Sequence, residues 1–240
     1  MRQANGHVAI LTYHRVLEDR APTEGIEPGM FVFRSTFEAH LTALKRRFHL
    51  TSLGSVLKAP LSPSDAPMAV ITFDDGWRDN MTVAWPVLAR HEVPATIFLT
   101  SDYIKGGGQP DSEFMGETDV RRLARYGIEF GAHTVSHPRL TNISTLAAEE
   151  EMRRSKEMVE SLTGRTCDLF AYPFGDHDAA VCRIAGSIFR GSVIVGHGWW
   201  RPGGDRTRIP RVAIHDDMTR VPAMFMERLV AAFDSTPPPV

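Results

Sequence analysis

The stretch "AVITFDDGW", residues 69–77, joins a run of apolar residues to two adjacent carboxylates, a glycine and a tryptophan. Short apolar runs that are rich in β-branched residues are typical of buried β-strands. Asp74 and Asp75 stand where this strand ends, and Gly76 allows the chain to turn there. Because neighbouring carboxylates repel each other, two of them at the end of a buried strand indicate either a polar turn or a metal ion whose charge offsets the repulsion.

The rest of the chain repeats this arrangement, with short apolar strands alternating with helical patterns. Such alternation predicts a parallel sheet covered by helices. The predicted strands are "HVAILTYH", "MAVITF", "ATIFLT", "IEFGAH", "DLFAYPFG", "SVIV" and "PRVAIH". No break in composition, linker or internal repeat divides the chain. We therefore predict one α/β domain over residues 1–240, a distorted or incomplete (β/α) barrel with about seven parallel strands.

Local signals also predict where several helices begin and end. Ser35 and Glu38 have the spacing of a capping box at a helix start. Ser144 and Gly164 flank a long helical pattern as its expected N-cap and terminator. A helix over "NMTVAWPVLARHE" should be kinked by Pro86, which lacks the backbone donor that the helix needs.

Composition and charge exclude some functions. The 240 residues include 27 basic and 29 acidic ones, and a net charge of −2 gives no reason to expect a nucleic-acid partner. The two cysteines, Cys167 and Cys182, indicate reduced thiols rather than a disulfide framework. The chain shows neither a signal-peptide pattern nor a transmembrane segment of ~18 apolar residues. Unless an upstream segment has been trimmed, we expect a cytoplasmic protein, or one held peripherally at the inner face of the membrane; its oligomeric state is not indicated.

Histidines follow another predicted strand, in "HTVSHP". His133 and His137 by themselves could be ordinary surface residues. In parallel β/α folds, however, the C-terminal strand ends meet on one face, where the Asp pair also lies. Two imidazoles and one carboxylate make a three-ligand metal site with open positions, as catalytic metals have. One acid would then bind the metal, and the other would take a proton from a metal-bound water.

The motifs "TFDDG", "HTVSH" and "YPFG", in this order, resemble those of the polysaccharide deacetylases, carbohydrate esterase family 4, which includes the nodulation chitooligosaccharide deacetylases. The resemblance covers nearly the whole chain, because "YHRV", "VPATIFL" and "IPRV" are typical of one branch. It implies a distorted β/α barrel and hydrolysis of an N-acetyl group on an amino sugar. The substrate would be a glycan or a lipid- or nucleotide-linked precursor. The implied cofactor is one divalent metal, zinc first, with cobalt, manganese, nickel or iron as alternatives.

The resemblance also implies roles for individual residues. The metal ligands would be Asp75, His133 and His137, and Asp74 would be the general base. A metal-bound water has a pKa near ~7, so a neighbouring carboxylate can take its proton.

The "YPFG" motif implies an oxyanion donor and part of the substrate wall. The backbone N–H of Phe174 would face the oxyanion, and Tyr172 and Pro173 would shape the wall. The chain departs from the family at Ala171, where an arginine usually orients the general base. We expect Arg211 of "IPRV" to take that role.

The general acid, which protonates the leaving amine, is the least determined residue. The family's last motif is an apolar strand that ends in a histidine, and "ILTYH" has that form at His14. A histidine titrates near neutral pH, as this step requires. We predict His14 as the acid, with His215 and His197 as alternatives.

Other functions remain open at this point. A deformylase of a formamido sugar would need the same residues. A metal-binding, carbohydrate-binding barrel with little turnover is another class, but it would have no need of Asp74. Non-haem iron oxygenases also use two histidines and a carboxylate; the β/α alternation argues against them.

Overall fold

The computed structural model describes residues 6–58, 66–109, 112–196, 198–201 and 203–235. At its centre is a closed barrel of seven parallel strands, β1 and β5 to β10, so the predicted fold class is confirmed. In chain order the strands are β1 (Val8–Tyr13), β2 (Arg15–Leu17), β3 (Phe31–Phe33), β4 (His49–Thr51), β5 (Met68–Phe73), β6 (Ala95–Leu99), β7 (Glu129–Ala132), β8 (Leu169–Ala171), β9 (Gly191–Gly196) and β10 (Ile209–Ala213). The seven barrel strands are those that the alternation of apolar runs predicted.

The barrel closes through β1, which pairs in parallel with both β5 and β10. The remaining barrel strands pair in the order in which they occur along the chain. One irregularity distorts the barrel. The first half of β5 pairs with the short strand β4, and only the second half, from Ile71 to Phe73, pairs with β6.

Helices surround the barrel. They are α1 (Arg34–Lys45), α2 (Leu53–Lys58), α3 (Trp85–His91), α4 (Ser101–Gly106), α5 (Glu117–Arg125), α6 (Thr145–Thr163), α7 (Ala179–Ile188), α8 (Asp216–Thr219) and α9 (Pro222–Asp234). None of the helices in the described ranges is both long enough and apolar enough to cross a membrane.

Two apolar clusters hold this architecture together. The larger one lies between the barrel and the helices. The smaller one fills the barrel and includes Leu53, Val56 and Leu57 of α2, which close its N-terminal end. Towards the C-terminal end the apolar filling gives way to buried polar side chains, among them Thr72 and Arg211. The interior of the barrel therefore becomes polar at the end where the site is expected.

Some helix ends follow their local signals. The Ser144 side chain accepts a hydrogen bond from the Ala147 N–H at 3.2 Å, and Gly164 ends α6 with a φ of +67°. The helix predicted around Pro86 is divided into a π-helical turn over Asn80–Ala84 and helix α3, whose second residue is Pro86.

The capping box predicted at Ser35 and Glu38 is wrong. The N-cap of helix α1 is Phe33, two residues earlier than predicted, and it makes no side-chain hydrogen bond. The Ser35 N–H and Oγ–H instead donate to the Asp19 carboxylate, at 3.0 and 2.7 Å. The acceptor comes from a separate loop, so the spacing within the helix could not reveal it.

Candidate metal centre and active site

The chain turns sharply after β5, and the turn presents both acids at the C-terminal end of the barrel. Asp75 and Gly76 both have left-handed backbone, with φ of 72° and 86°. A Cβ on Gly76 would lie only 2.8 Å from the Ile104 side chain, so glycine is the residue that fits. Aspartate tolerates this conformation better than most residues, at a cost of about 1 kcal/mol or more.

Asp74 forms a buried ion pair with Arg211. The two guanidinium N–H groups donate to the two carboxylate oxygens at 2.7 and 2.6 Å, in the bidentate geometry that arginine favours. Arg211 is fully buried and also donates to Thr72 Oγ1 at 3.1 Å. Burial by itself raises the pKa of Asp74, but the positive charges of Arg211 and His133 outweigh it and hold that pKa below its usual value. Asp74 is therefore an ionised, oriented carboxylate.

Asp75 faces two histidines instead of an arginine. Asp75 Oδ1 lies 3.4 Å from the Nε2 atoms of His133 and of His137, and these two nitrogens are 3.2 Å apart. The three atoms form a nearly equilateral triangle whose centre is ~2 Å from each corner, close to the ligand distances of zinc. The donor set, two imidazoles and a carboxylate, is also that of open catalytic sites. The side chains present thus fit one divalent metal ion.

Neighbouring groups aim both imidazoles at that centre. His133 Nδ1 donates to the Ala171 carbonyl at 2.7 Å, which leaves Nε2 with its lone pair free for a metal. His137 has a φ of 59°, and its N–H donates to Thr134 Oγ1 at 3.0 Å. The Glu151 carboxylate accepts the backbone N–H groups of the intervening loop. Several strained residues are thus held in place by hydrogen bonds at this end of the barrel.

Burial and nearby charges shift the pKa values of the three candidate ligands in different directions. Burial, and then the charge of His133, lower the pKa of His137 to about 4, so its imidazole is neutral and able to act as a ligand. Burial lowers the pKa of His133, but the hydrogen bond and charge of Asp75 raise it further than burial lowers it. Burial raises the pKa of Asp75, and His133 lowers it well beyond that, so the carboxylate is ionised.

A tryptophan holds the second oxygen of Asp75. Trp77 Nε1–H donates to Asp75 Oδ2 at 3.0 Å, which leaves Oδ1 facing the histidines. The indole ring is enclosed on both sides: the Arg15 guanidinium lies 4.5 Å from its centroid, and the Phe114 ring stacks on it at 4.4 Å. Tyr103 extends this stack beyond Phe114, also at 4.4 Å.

The sequence model of the family described as polysaccharide deacetylase matches residues 62–188, just over half of the chain. The chain belongs to this family. The resemblance seen in the motifs is therefore confirmed, and the predicted class of enzyme, a hydrolase of the N-deacetylase type, is that of the family.

Curated polysaccharide deacetylase relatives share about a quarter to a third of the aligned residues. The YxkH protein of Bacillus subtilis is 26% identical over 179 residues, 73% of this chain and 60% of YxkH. A chitooligosaccharide deacetylase of Rhizobium leguminosarum bv. trifolii is 36% identical over 99 residues, 41% of this chain and 42% of that enzyme. The chain thus spans less than two thirds of the length of these relatives.

Solved structures of deacetylases share the fold at low sequence identity. The deacetylase PplD of Streptococcus pyogenes, in complex with acetate, has a TM-score of 0.82 and 22% identity over 93% of this chain and 98% of PplD. BC0361, a polysaccharide deacetylase from Bacillus cereus, has a TM-score of 0.79 and 24% identity over 93% of this chain and 69% of BC0361.

Of the three histidines considered as general acid, His14 directly follows β1 at the C-terminal end of the barrel. Burial raises the pKa of Asp74 and of Asp75, and their closer partners lower both values. The charge of His14 is a smaller effect that also lowers both. His215 instead pairs with Asp217 at the start of α8. His197 lies outside the described residues. The assignment of His14 stays a prediction.

The wall predicted from "YPFG" is partly wrong. The Tyr172 side chain is fully buried in the layer between barrel and helices, and its hydroxyl donates to the Thr207 carbonyl at 2.8 Å. Pro173 is buried as well. Strand alternation turns Tyr172 outwards from the barrel, so it cannot line the substrate site. The side chain that is exposed there is Phe174, which is 54% exposed and packs edge-on against His137 at 4.7 Å.

The sequence analysis missed the residues that hold the first two loops of the site. Asp79 accepts hydrogen bonds from Arg15 Nε and from the Val16 N–H, at 2.8 and 2.9 Å. The Asn80 amide donates to the His14 carbonyl at 2.8 Å. Their signal was present in the polar run "DDGWRDN", in which we assigned roles only to the first two residues.

Proposed function

We propose that this protein removes an N-acetyl group from an amino sugar by metal-dependent hydrolysis. One observation carries the proposal: adjacent carboxylates stand in two different environments, Asp74 paired with Arg211 and Asp75 facing His133 and His137. A structural ion pair would need only the first environment. A metal-binding barrel without turnover would need only the second.

Asp75, His133 and His137 would hold a divalent metal ion, which would supply Lewis acidity and lower the pKa of a bound water molecule. Asp74 accepts a proton from the attacking water, since its ionised carboxylate keeps lone pairs that the two bonds from Arg211 do not use. Arg211 acts as the positioning residue: it fixes the plane of the carboxylate and keeps it ionised. It takes the role that Ala171 leaves open, and the carbonyl of Ala171 orients His133 instead.

The other half of the reaction needs an acid and an oxyanion donor. His14 protonates the leaving amine from the opposite side of the scissile bond, and the Asn80 amide holds the His14 backbone in place. The backbone N–H of Phe174 faces the oxyanion. Its left-handed conformation, with a φ of 59°, is a strain of the kind that accumulates at functional sites.

The family and its relatives support a proposal for the substrate class. Members that this chain resembles are named for deacetylation of chitooligosaccharides and of peptidoglycan N-acetylmuramic acid. We therefore propose an N-acetylated amino sugar in a glycan or in a glycan precursor as the substrate, and zinc as the metal.

Acetate release from a panel of N-acylated sugars tests the proposal. The protein is stripped with a chelator and reloaded with Zn²⁺, Co²⁺ or Mn²⁺. We expect acetate from at least one N-acetylated sugar with metal and none without it. His133→Ala should abolish both metal binding and acetate release.

Other outcomes would identify the alternatives. Formate release from N-formyl sugars without acetate from N-acetyl sugars would indicate a deformylase. Sugar binding without release of either acid, in metal-loaded protein, would contradict an enzymatic function and indicate a binding barrel.

A further inference from the structure

Next to the metal centre, an arginine lies on an exposed aromatic ring. Arg139 Cζ is 4.3 Å from the centroid of the Phe174 ring, and that ring is 4.7 Å from the imidazole of His137. The sum of these two distances is the upper limit for the distance between Arg139 Cζ and the centroid of this imidazole. Arg139 follows His137 by two residues, in the same loop.

The charge of Arg139 is not balanced by a partner. Within the described parts of the chain, no carboxylate forms an ion pair with Arg139, and its guanidinium makes a cation–π contact with the Phe174 ring. Two nearby acids, one in the loop after Phe174 and one in α6, have other partners. Asp176 accepts from the N–H and Oγ–H of Thr141, and Glu151 accepts from the backbone of the His137 loop.

The aromatic base of this pair is itself unusual. Phe174 is 54% exposed and has a φ of 59°, an unfavourable combination for a large apolar residue. A guanidinium that stacks flat on a ring keeps its N–H edge free, and that edge matches the planar oxygens of a carboxylate or phosphate.

We propose that Arg139, stacked on Phe174, is a specificity-determining residue that binds an anionic group, carboxylate or phosphate, on or beside the N-acylated sugar. This inference rests on the proposed deacetylase function and narrows its substrate. A carboxylate would come from a sugar acid or a lactyl ether within a glycan. A phosphate would come from a nucleotide-linked or phosphodiester-linked sugar. Phe174 contributes the ring on which the guanidinium lies, and this ring also packs against the imidazole of His137.

The test compares neutral and anionic sugars in wild-type protein and in Arg139→Met and Arg139→Lys. Met keeps an apolar stem over the Phe174 ring without the charge, and Lys keeps the charge without the planar fork. Arg122→Met removes an exposed cation from α5 and serves as the matched control. The sugars are tetra-N-acetylchitotetraose, a peptidoglycan oligomer with lactyl carboxylates, and UDP-N-acetylglucosamine. Their comparison separates a carboxylate from a phosphate source.

We expect Arg139→Met to lower kcat/KM for one anionic sugar about 10- to 100-fold, the value of one charge-assisted hydrogen-bond pair. The loss should appear mainly in KM, and should shrink as KCl is raised. Activity on the neutral tetramer should stay within about 3-fold of wild type, Arg139→Lys should be intermediate, and Arg122→Met should change nothing.

Two outcomes would overturn the inference: equal losses on neutral and anionic sugars, which indicate that Arg139 only supports Phe174, or no loss on any sugar. If neither acetate nor formate is released from any sugar, the proposed deacetylase function is contradicted, but this result does not decide the role of Arg139. Titration calorimetry of the Zn²⁺-loaded proteins with the same sugars then decides about Arg139, because binding needs no turnover. Equal affinity of wild type and Arg139→Met for the anionic sugars would contradict its role.

Discussion

The two ends of the barrel both carry a carboxylate that is not fully exposed, but the atoms around each carboxylate differ. At the N-terminal end, Glu129 accepts hydrogen bonds from the Gly54 N–H at 3.0 Å and from Thr96 Oγ1 at 2.6 Å. At the C-terminal end, Asp75 Oδ1 lies 3.4 Å from the Nε2 atoms of His133 and His137. The other ring nitrogen of His133, Nδ1, donates to the Ala171 carbonyl. Both acids accept hydrogen bonds, but only the second has an oxygen that faces two potential metal ligands.

This difference distinguishes a carboxylate that joins structural elements from one that belongs to a candidate metal site. Glu129, in β7, connects α2 and β6 through hydrogen bonds within the protein, without a metal ion. Asp75, His133 and His137 bring three ligand atoms together in an arrangement consistent with a divalent metal site. The left-handed backbone at Asp75 and His137 adds a cost that the N-terminal contacts of Glu129 do not require.

The largest expected effect is at Asp74. Asp74→Asn should lower turnover by ~10²–10⁴-fold, because an amide cannot take the proton from water. Metal affinity should stay near that of wild type, since Asp75, His133 and His137 are unchanged. Acetate release and zinc titration measure the two effects. An equal loss of zinc in this variant would mean that the roles of Asp74 and Asp75 are exchanged.

Removing Arg211 should affect stability and the pH dependence of activity. Arg211→Met leaves a buried, unpaired carboxylate and should lower the free energy of unfolding by about 3–5 kcal/mol. Burial raises the pKa of Asp74 and Arg211 lowers it, so without Arg211 this pKa rises. Activity should then be lost at a higher pH as the solution is acidified.

Urea unfolding and pH–rate profiles measure both effects of Arg211→Met. The double variant Asp74→Asn/Arg211→Met should unfold nearer to wild type than either single variant, while it remains inactive. If Arg211→Met had the stability of wild type and an unchanged acidic limb in its pH–rate profile, Arg211 would have no positioning role towards Asp74.

Trp77→Phe should weaken metal binding without unfolding the protein. The variant keeps the stacking on Phe114 but loses the N–H that holds Asp75 Oδ2. Loss of such an outer hydrogen bond typically costs 10–100-fold in metal affinity, which zinc competition titrations measure. Trp85→Phe, which changes another tryptophan stacked on Tyr126, is the control and should bind zinc normally. Equal zinc affinity in both variants would contradict the role of the indole.

The smallest effect is expected at the N-terminal end. Glu129→Gln weakens hydrogen bonds to the Gly54 N–H and Thr96, and should cost about 1–2 kcal/mol of stability. Zinc affinity and turnover should remain within about 2-fold of wild type. Denaturant unfolding and zinc titration measure this outcome, and a loss of zinc would show that the two ends are coupled.

How much the sequence predicted depended on how local the signal was. Strand and helix positions follow from periodicity within a few residues, and all seven barrel strands were predicted in that way. The end of α6 at Gly164 followed a local signal too. The start of α1 did not, because Asp19 supplies its hydrogen bond from a separate loop.

The sequence predicted which types of residue form the candidate site, but it predicted fewer of the contacts between their side chains. The metal-ligating types were indicated by their positions at strand ends, and the family resemblance assigned Asp75, His133 and His137. The orientation of Tyr172 depends on which face of β8 turns inwards. The role of Trp77 depends on a turn whose left-handed residues the sequence does not specify.

The sequence alone determined the alternation of strands and helices, and hence parallel strands with polar residues at their C-terminal ends. Only the tertiary structure decided how Arg211 meets Asp74, 137 residues earlier in the chain. The two are brought together because β1 pairs with β5 on one side and with β10 on the other, with Leu11 level with both Ile71 and Val212. From that level the long arginine side chain reaches Asp74 past the end of the strand. Closure of the barrel is a long-range pairing, and no local pattern of residues encodes it.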